Sequence, residues 1–138
     1  MKRVCRISQN LKLKSQNQMS NLKSENVKER AYRFSLEIIT IVKELPQTGT
    51  HYIFSDQLLR AATSIGANLI EAKSSSSKKD FIRYYEIALK SCNETVYWLC
   101  LLRDGKLAER ERIKPLLSEA IEISKMIGSS LLTLKGKK

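Results

Sequence analysis

Apolar residues recur at steps of three and four along several long segments of the sequence, and this periodicity limits the possible folds more than any other feature. In the first such segment the repeated positions are Ala31, Phe34, Ile38, Ile41, Val42 and Leu45. This spacing places the side chains on one face of an α-helix. Because the 138 residues include only five glycines and two prolines, few positions interrupt helices of this length. We therefore predict a single all-α domain.

Capping residues and helix breakers predict where four helices begin and end. Asn26 and Ser77 can each accept a hydrogen bond from the backbone N–H three residues later, so a helix is expected to follow each of them. Pro46 ends the first helix, and Pro115 predicts either a regular start of the last helix near Lys114 or a kink there. The predicted helices cover about residues 26–45, 55–72, 78–102 and 108–134, with a loop at residues 47–53.

The apolar faces of the later helices define the rest of the expected core. The second helix carries Leu58, Ala62, Ile65, Leu69 and Ala72 on one face. The face of the fourth helix comprises Ile113, Leu116, Leu117, Ala120, Ile121, Ser124, Ile127 and Leu131. The third helix has a stripe of Phe81, Tyr84, Tyr85, Ala88, Cys92, Thr95, Leu99 and Leu102, widened by Ile82, Ile87, Leu89, Trp98 and Leu101. Because so broad an apolar surface needs more than one partner, we predict a second contact surface on this helix.

Short connections between the four helices predict how they are arranged. Helices joined by only a few residues run in opposite directions when they pack side by side. We therefore predict an antiparallel, up-down-up-down four-helix bundle over residues 26–134. A basic N-terminal extension at residues 1–25 precedes it and a basic tail at residues 135–138 follows it.

The formal net charge of +11 is concentrated near the N-terminus, where residues 1–30 carry eight Lys or Arg against two acidic residues. Such an excess favours a polyanionic partner, because each cation placed against a phosphate releases a condensed counterion. A solvated surface without a ligand is the alternative. The predicted nucleic-acid-binding residues are Lys2, Arg3, Arg6, Lys12, Lys14, Lys78, Lys79 and Arg83.

A stripe of polar residues on the second helix is expected to face two polar residues on the third. The stripe comprises Arg60, Ser64, Asn68 and Glu71, and the facing residues are Ser91 and Glu94. Because the third helix turns back along the second, we predict an ion pair between Arg60 and Glu94, with hydrogen bonds from Ser64 and Ser91. We interpret the set as a structural polar network or a subunit contact. A ligand or nucleic-acid site is the alternative.

The reactive residue types are too few for the common catalytic and metal sites. Cys5, Cys92 and Cys100 form no C-x-x-C pair and are expected to be reduced thiols. His51 is the single histidine, so the residues needed for a di-iron site or a nucleophile–base pair are missing. The sequence has neither a secretory signal nor an apolar segment long enough to cross a membrane. We predict a cytoplasmic protein without metal, cofactor or enzymatic activity.

Three short motifs give the chain a resemblance to a known family. Arg60-Ala-Ala-Thr-Ser-Ile-Gly-Ala-Asn-Leu-Ile-Glu71 is followed by Asp80-Phe81 and by Ser91-Cys-Asn-Glu94. They are similar to the pattern R-A-x-x-S-I-x-x-N-I-x-E-G, D-F and S-x-x-E of the four-helix-bundle proteins encoded in intervening sequences of bacterial 23S ribosomal RNA genes. The resemblance covers about residues 26–134. Leu69 and Ala72 replace an Ile and a Gly of that pattern, and neither change threatens the fold.

The resemblance implies a bundle that assembles into a ring, commonly a homopentamer, with no enzymatic activity. A related branch of the family acts as the accessory protein of diversity-generating retroelements and binds nucleic acid and a reverse transcriptase. We therefore expect a non-enzymatic, oligomeric bundle that binds RNA or DNA electrostatically. The alternative is an accessory subunit of a nucleic-acid-processing enzyme, such as a reverse transcriptase, recognised through protein contacts alone.

Overall fold

The structure, a computed structural model, describes residues 26–136, which form four α-helices. These are α1 (Val27–Glu44), α2 (Gly49–Lys73), α3 (Lys78–Asp104) and α4 (Arg110–Leu134). No strand occurs within residues 26–136. The all-α prediction is therefore confirmed. The predicted extension at residues 1–25 and the last two residues of the predicted tail lie outside the described residues.

Local capping residues begin α1 and α3 where the sequence predicted. The Asn26 side chain accepts a hydrogen bond of 2.9 Å from the Glu29 N–H. The Ser77 hydroxyl accepts one of 3.1 Å from the Asp80 N–H. Each cap satisfies an N–H group that would otherwise lack a partner in the first turn.

The start of α2 differs from the prediction. This helix begins at Gly49, six residues before the predicted start at Ser55, and it includes most of the predicted loop at residues 47–53. The extra turns bring Phe54 against Trp98 of α3, with their ring centroids 5.6 Å apart. This tertiary contact stabilises a segment whose local sequence alone favours a loop.

Helix α4 continues through its proline. It runs from Arg110 to Leu134 and contains Pro115 in its second turn, so the predicted alternative of a regular start near Lys114 is wrong. Pro115 has no N–H to donate to the carbonyl of Glu111, the residue four positions earlier. Pro115 itself is exposed while the flanking Ile113 and Leu116 are buried, and burial of these two residues offsets that loss.

Each helix packs against two others. Helix α2 contacts α1 and α3, and α4 contacts α3 and α1, which closes a cycle compatible with a four-helix bundle. The core contains fully buried residues from all four helices, among them Phe34, Ile38, Leu58, Ile65, Leu99 and Ile123. All five residues predicted for the apolar face of α2 are buried.

On α4 the buried face is narrower than predicted. Ile121 was expected in the core, yet its side chain is 42% exposed. Ile123, which was not included, is fully buried. Ile121 and Ile123 are the same residue type and lie two positions apart, so residue type alone could not show which of them is buried. The buried residues Ala120, Ile123 and Ile127 recur at steps of three and four and identify the face that points inward.

Gly66 of α2 faces Ala31 of α1. A Cβ atom added at Gly66 would lie 3.6 Å from the Ala31 Cβ, an ordinary van der Waals distance. Because glycine in a helix interior costs about 0.5–1 kcal/mol relative to alanine, Gly66→Ala is expected to raise the free energy of unfolding by up to that amount. Urea denaturation followed by circular dichroism measures the change.

A second glycine supplies the control for this prediction. A Cβ atom at Gly105, which ends α3, would lie 2.8 Å from the backbone oxygen of Leu101, too close to be accommodated without a backbone shift. Gly105→Ala is therefore expected to lower the free energy of unfolding by about 1–3 kcal/mol. A loss of stability in Gly66→Ala similar to that in Gly105→Ala would contradict the described packing of α2 on α1.

Candidate functional site

The start of α1, the end of α2, the start of α3 and the end of α4 lie close together. Lys28 and Lys73 are near enough for their charges to interact. Leu134 lines the same shallow depression as Lys73 and Phe81. A second depression brings Val27 of α1 beside residues 125–130 of α4. The fold therefore gathers residues that are distant in the sequence.

We call residues 26–33, 70–83 and 125–136 the basic end. Nine Lys or Arg residues lie in these ranges, namely Lys28, Arg30, Arg33, Lys73, Lys78, Lys79, Arg83, Lys125 and Lys135. The three acidic residues there are Glu29, Glu71 and Asp80. In the rest of the described chain, eight basic residues face ten acidic ones. These ranges thus carry +6, but three of their cations, Arg30, Lys125 and Lys135, pair with Glu119, Glu122 and Glu86 outside them, which leaves +3 when those carboxylates are included.

Several cations of the basic end are available to a ligand. Lys73, Lys78, Lys79 and Arg83 are exposed, and none is within salt-bridge distance of a carboxylate on any described residue. By contrast, the Lys135 ammonium lies 2.7 Å from a Glu86 carboxylate oxygen. Burial, together with the charge of Lys73, lowers the pKa of Lys28. The contribution from Lys73 reflects repulsion between cations that an anionic ligand would relieve.

Three of the eight predicted nucleic-acid-binding residues belong to this surface. Lys78 and Lys79 are in the first turn of α3, and Arg83 is in its second turn with the guanidinium 5.2 Å from the centre of the Tyr84 ring. The other five, Lys2, Arg3, Arg6, Lys12 and Lys14, lie outside the described residues.

The first and last described residues, Asn26 and Gly136, both belong to the basic end. Residues 1–25 join the described chain at Asn26, and residues 137 and 138, both lysines, follow Gly136. The sequence did not identify Lys28 and Lys73 as part of one surface. Their proximity depends on how α1 packs on α2, and that packing leaves no short-range signal in the sequence.

The predicted polar stripe is brought together in part. The Ser91 hydroxyl donates a hydrogen bond of 2.9 Å to the Ser64 hydroxyl. The Asn68 side-chain amide donates to the Ser64 hydroxyl at 3.0 Å and to the Ser64 carbonyl at 2.8 Å. These three side chains connect α2 to α3 in a half-buried layer at the edge of the core.

The predicted ion pair between Arg60 and Glu94 is wrong within the described chain. Arg60 instead donates a hydrogen bond of 3.0 Å to Asp56, one turn earlier on the same helix. Glu94 accepts a bond of 3.3 Å from the Trp98 indole N–H. Both alternative partners are four residues away on the same helix, where side chains are neighbours without any tertiary constraint. Glu71, the fourth predicted residue of the stripe, is exposed and joins none of these bonds.

An aromatic cluster that the sequence did not predict lies next to Glu94. Trp98 packs against Phe54 on one side, and the edge of Tyr97 contacts it with ring centroids 5.4 Å apart. Tyr97 is 57% exposed, and Ile53 at the neighbouring start of α2 is 61% exposed. The sequence feature that could have indicated this cluster was the breadth of the apolar surface of α3.

The remaining reactive groups do not assemble a catalytic or metal site among the described residues. Burial raises the pKa of Cys92 to about 12, so its thiol stays protonated at neutral pH. No group of three His, Cys, Asp or Glu residues with metal-binding geometry occurs within residues 26–136. An open depression of about 740 Å³ lies where α1 and α3 end and α4 begins. Four of the charged residues that line it are paired within the chain, Arg103 with Asp104 and Arg112 with Glu44.

None of the described helices is long and apolar enough to cross a membrane.

The fold and the charge distribution define a class of small all-α proteins with four packed helices and one strongly basic end. Comparison with known proteins identifies the family. The chain belongs to the 23S rRNA-intervening sequence protein family, whose model matches residues 23–129. This finding confirms the resemblance drawn from the motifs.

A solved structure shares this fold. It is the crystal structure of a protein with unknown function from the S23 ribosomal protein family of Bacteroides thetaiotaomicron, 38% identical to this chain with a TM-score of 0.73. The match covers 77% of this chain and 98% of that one. None of the curated proteins compared with this chain matches it.

Proposed function

We propose that this protein is a non-enzymatic, oligomeric four-helix bundle that binds the phosphate groups of RNA or DNA through its basic end. The observation that carries the proposal is a group of four exposed cations at the basic end that pair with no carboxylate among the described residues, namely Lys73, Lys78, Lys79 and Arg83. Membership of a family named for an intervening sequence of ribosomal RNA is in keeping with a nucleic-acid ligand.

The contacts between helices support an antiparallel bundle with up-down-up-down order. On α2 and α3, Phe54 contacts Trp98, whereas Ser64, ten residues further along α2, bonds to the earlier residue Ser91. On α1 and α4, Arg30 pairs with Glu119, whereas Glu44 pairs with Arg112. In both pairs of helices, a residue further along one helix contacts a residue nearer the start of the other, as antiparallel neighbours require.

Binding of this kind needs no catalytic group and no reading of bases. Lysine and arginine side chains contact phosphate oxygens, and the released counterions supply much of the binding free energy. The resemblance supports a ring-shaped assembly, commonly a homopentamer, which would repeat the basic end around an axis. We expect it to act in the cytoplasm.

The proposal predicts a steep dependence of affinity on salt. A double variant Lys78→Gln with Lys79→Gln removes two unpaired cations from the basic end and keeps good helix formers at both positions. For a DNA duplex, the slope of log affinity against log salt concentration is expected to become shallower by about 1 for each lysine removed. Fluorescence anisotropy with the full chain measures this slope, and an RNA duplex serves as the second probe.

The matched control is the double variant Lys43→Gln with Lys114→Gln, which removes the same charge from two exposed positions outside the basic end. Its salt slope should stay close to that of the unmodified protein. Equal losses in both double variants would contradict binding at the basic end. Affinity that does not change with salt, or no affinity for either duplex, would contradict the proposed function as a whole.

A second candidate function is that of an accessory subunit that binds a nucleic-acid-processing enzyme, such as a reverse transcriptase, through protein contacts. The observation that favours it is the exposure of Ile53 and Tyr97 beside Trp98, because exposed aromatic and apolar side chains are typical of protein interfaces. A complex with such an enzyme that survives nuclease treatment and high salt, and that is lost in Tyr97→Ala while the assembled mass of the protein itself is unchanged, would favour this function over direct nucleic-acid binding.

A further inference from the structure

We infer that an exposed strip on α2 and α3 contacts a second copy of this chain, and that Arg60 of one copy pairs with Glu94 of the other. We call this surface the α2–α3 strip and define it by Ile53, Arg60, Asn68, Glu94 and Tyr97. The inference rests on the proposed function only in treating the protein as an oligomer. It does not depend on nucleic-acid binding.

Arg60 and Glu94 lie level with each other on adjacent helices. Phe54 contacts Trp98 on one side of them along the helices, and Ser64 bonds to Ser91 on the other. Arg60 falls between the two α2 residues, and Glu94 falls between the two α3 residues. Despite this proximity they form no ion pair with each other, and the Arg60 side chain is 75% exposed. Both charges therefore remain accessible to a partner outside the chain.

The residues around this pair have the composition of a protein interface. Ile53 is two helical turns before Arg60 and so lies on the same side of α2, and Tyr97 is one turn after Glu94 on α3. Ile53 and Tyr97 are more than half exposed. Aromatic residues and arginine are enriched where proteins bind one another.

The half-buried side chains beneath the α2–α3 strip are already held in place by hydrogen bonds. Ser64 is held by hydrogen bonds from both Asn68 and Ser91, so these side chains lose little further freedom on binding. The amide group of Asn68 donates to Ser64, while its carbonyl oxygen has no hydrogen-bond donor among the described residues. That oxygen can accept a bond from a partner.

The charges identify a second copy as the occupant. The strip and its immediate surroundings carry two exposed cations, Arg60 and Lys90, and the carboxylates of Asp56 and Glu94, so the surface lacks the excess of positive charge that a phosphate backbone needs. A second copy offers both an arginine and a glutamate, so each can meet its opposite charge across the contact. A two-fold contact forms two such pairs, and a head-to-tail contact in a ring forms one.

Charge reversal tests this pairing in the full chain. Arg60→Glu and Glu94→Arg each place like charges opposite one another, and each is expected to weaken self-association about tenfold or more. The double variant Arg60→Glu with Glu94→Arg exchanges the two charges, so opposite charges meet again at every contact of a two-fold or ring assembly, and this variant should assemble again. Sedimentation velocity measures the masses, and thermal unfolding checks that all three variants are folded.

The control is Lys43→Glu, an equal charge reversal at an exposed position of α1, which should leave self-association unchanged. If the unmodified protein assembles but either single variant assembles equally well, or if the double variant restores nothing, the inferred contact is overturned while the proposed oligomer stands. A protein that stays monomeric at all concentrations overturns both. Loss of nucleic-acid binding with normal assembly would contradict the proposed function alone.

Discussion

Replacement of Phe34 by alanine is expected to lower the free energy of unfolding by about 3–5 kcal/mol. Phe34 lies in the middle of α1, and its side chain is completely buried in the core that all four helices share. Truncation removes the largest of the fully buried side chains and leaves a cavity that the surrounding helices fill only partly. Urea denaturation followed by circular dichroism measures the loss.

Leu36 provides the control on the same helix. It is two residues from Phe34, points to the opposite side of α1 and is 44% exposed. Leu36→Ala is expected to change the free energy of unfolding by less than about 1 kcal/mol. Both variants must be compared at one protein concentration, because self-association would add to apparent stability. Similar losses in the two variants would contradict the described orientation of α1.

The features that the sequence predicted well are those fixed by residues close together in the chain. The caps at Asn26 and Ser77 depend on a side chain and a backbone N–H three positions away, and both form as expected. The apolar face of α2 follows from helical periodicity, and its predicted residues are all buried. Local rules were sufficient to predict four helices and most of their inward faces.

The features that the sequence missed depend on contacts between distant residues. The first turns of α2 were read as a loop because their stability includes the packing of Phe54 on Trp98, which are 44 positions apart in the sequence. The Arg60 side chain was assigned a partner on α3, but Asp56 on its own helix is nearer. Periodicity indicates which face a residue occupies. It does not indicate with which of several neighbouring groups a long charged side chain will pair.

The basic end also combines residues that the local sequence predicted with residues that only the fold brings together. Lys78, Lys79 and Arg83 were predicted from a local run of charge at the start of α3. Lys28 and Lys73 join them only because α1 packs on α2. The clustering of cations that supports the proposed nucleic-acid binding is therefore a property of the fold, although the net charge is a property of the sequence.

Replacement of Ile121 or Ile123 by alanine tests which face of α4 is buried. The sequence pattern did not distinguish these two residues correctly. Ile123→Ala is expected to lower the free energy of unfolding by about 2–5 kcal/mol, because Ile123 is completely buried. Ile121→Ala removes the same atoms from a side chain that is 42% exposed, and its expected cost is less than about 1 kcal/mol.

Both variants carry the same chemical change on one helix, so helix propensity cancels in the comparison and the difference reports burial alone. Urea denaturation at a fixed protein concentration gives the two values. A larger loss for Ile121→Ala would mean that Ile121, and not Ile123, faces the core, as the sequence pattern had predicted. In an alternative outcome, Ile121→Ala leaves the monomer stable but reduces the assembled mass in sedimentation velocity. The exposed face of α4 then takes part in self-association as well, because a side chain that is exposed in one chain affects assembly through contact with another.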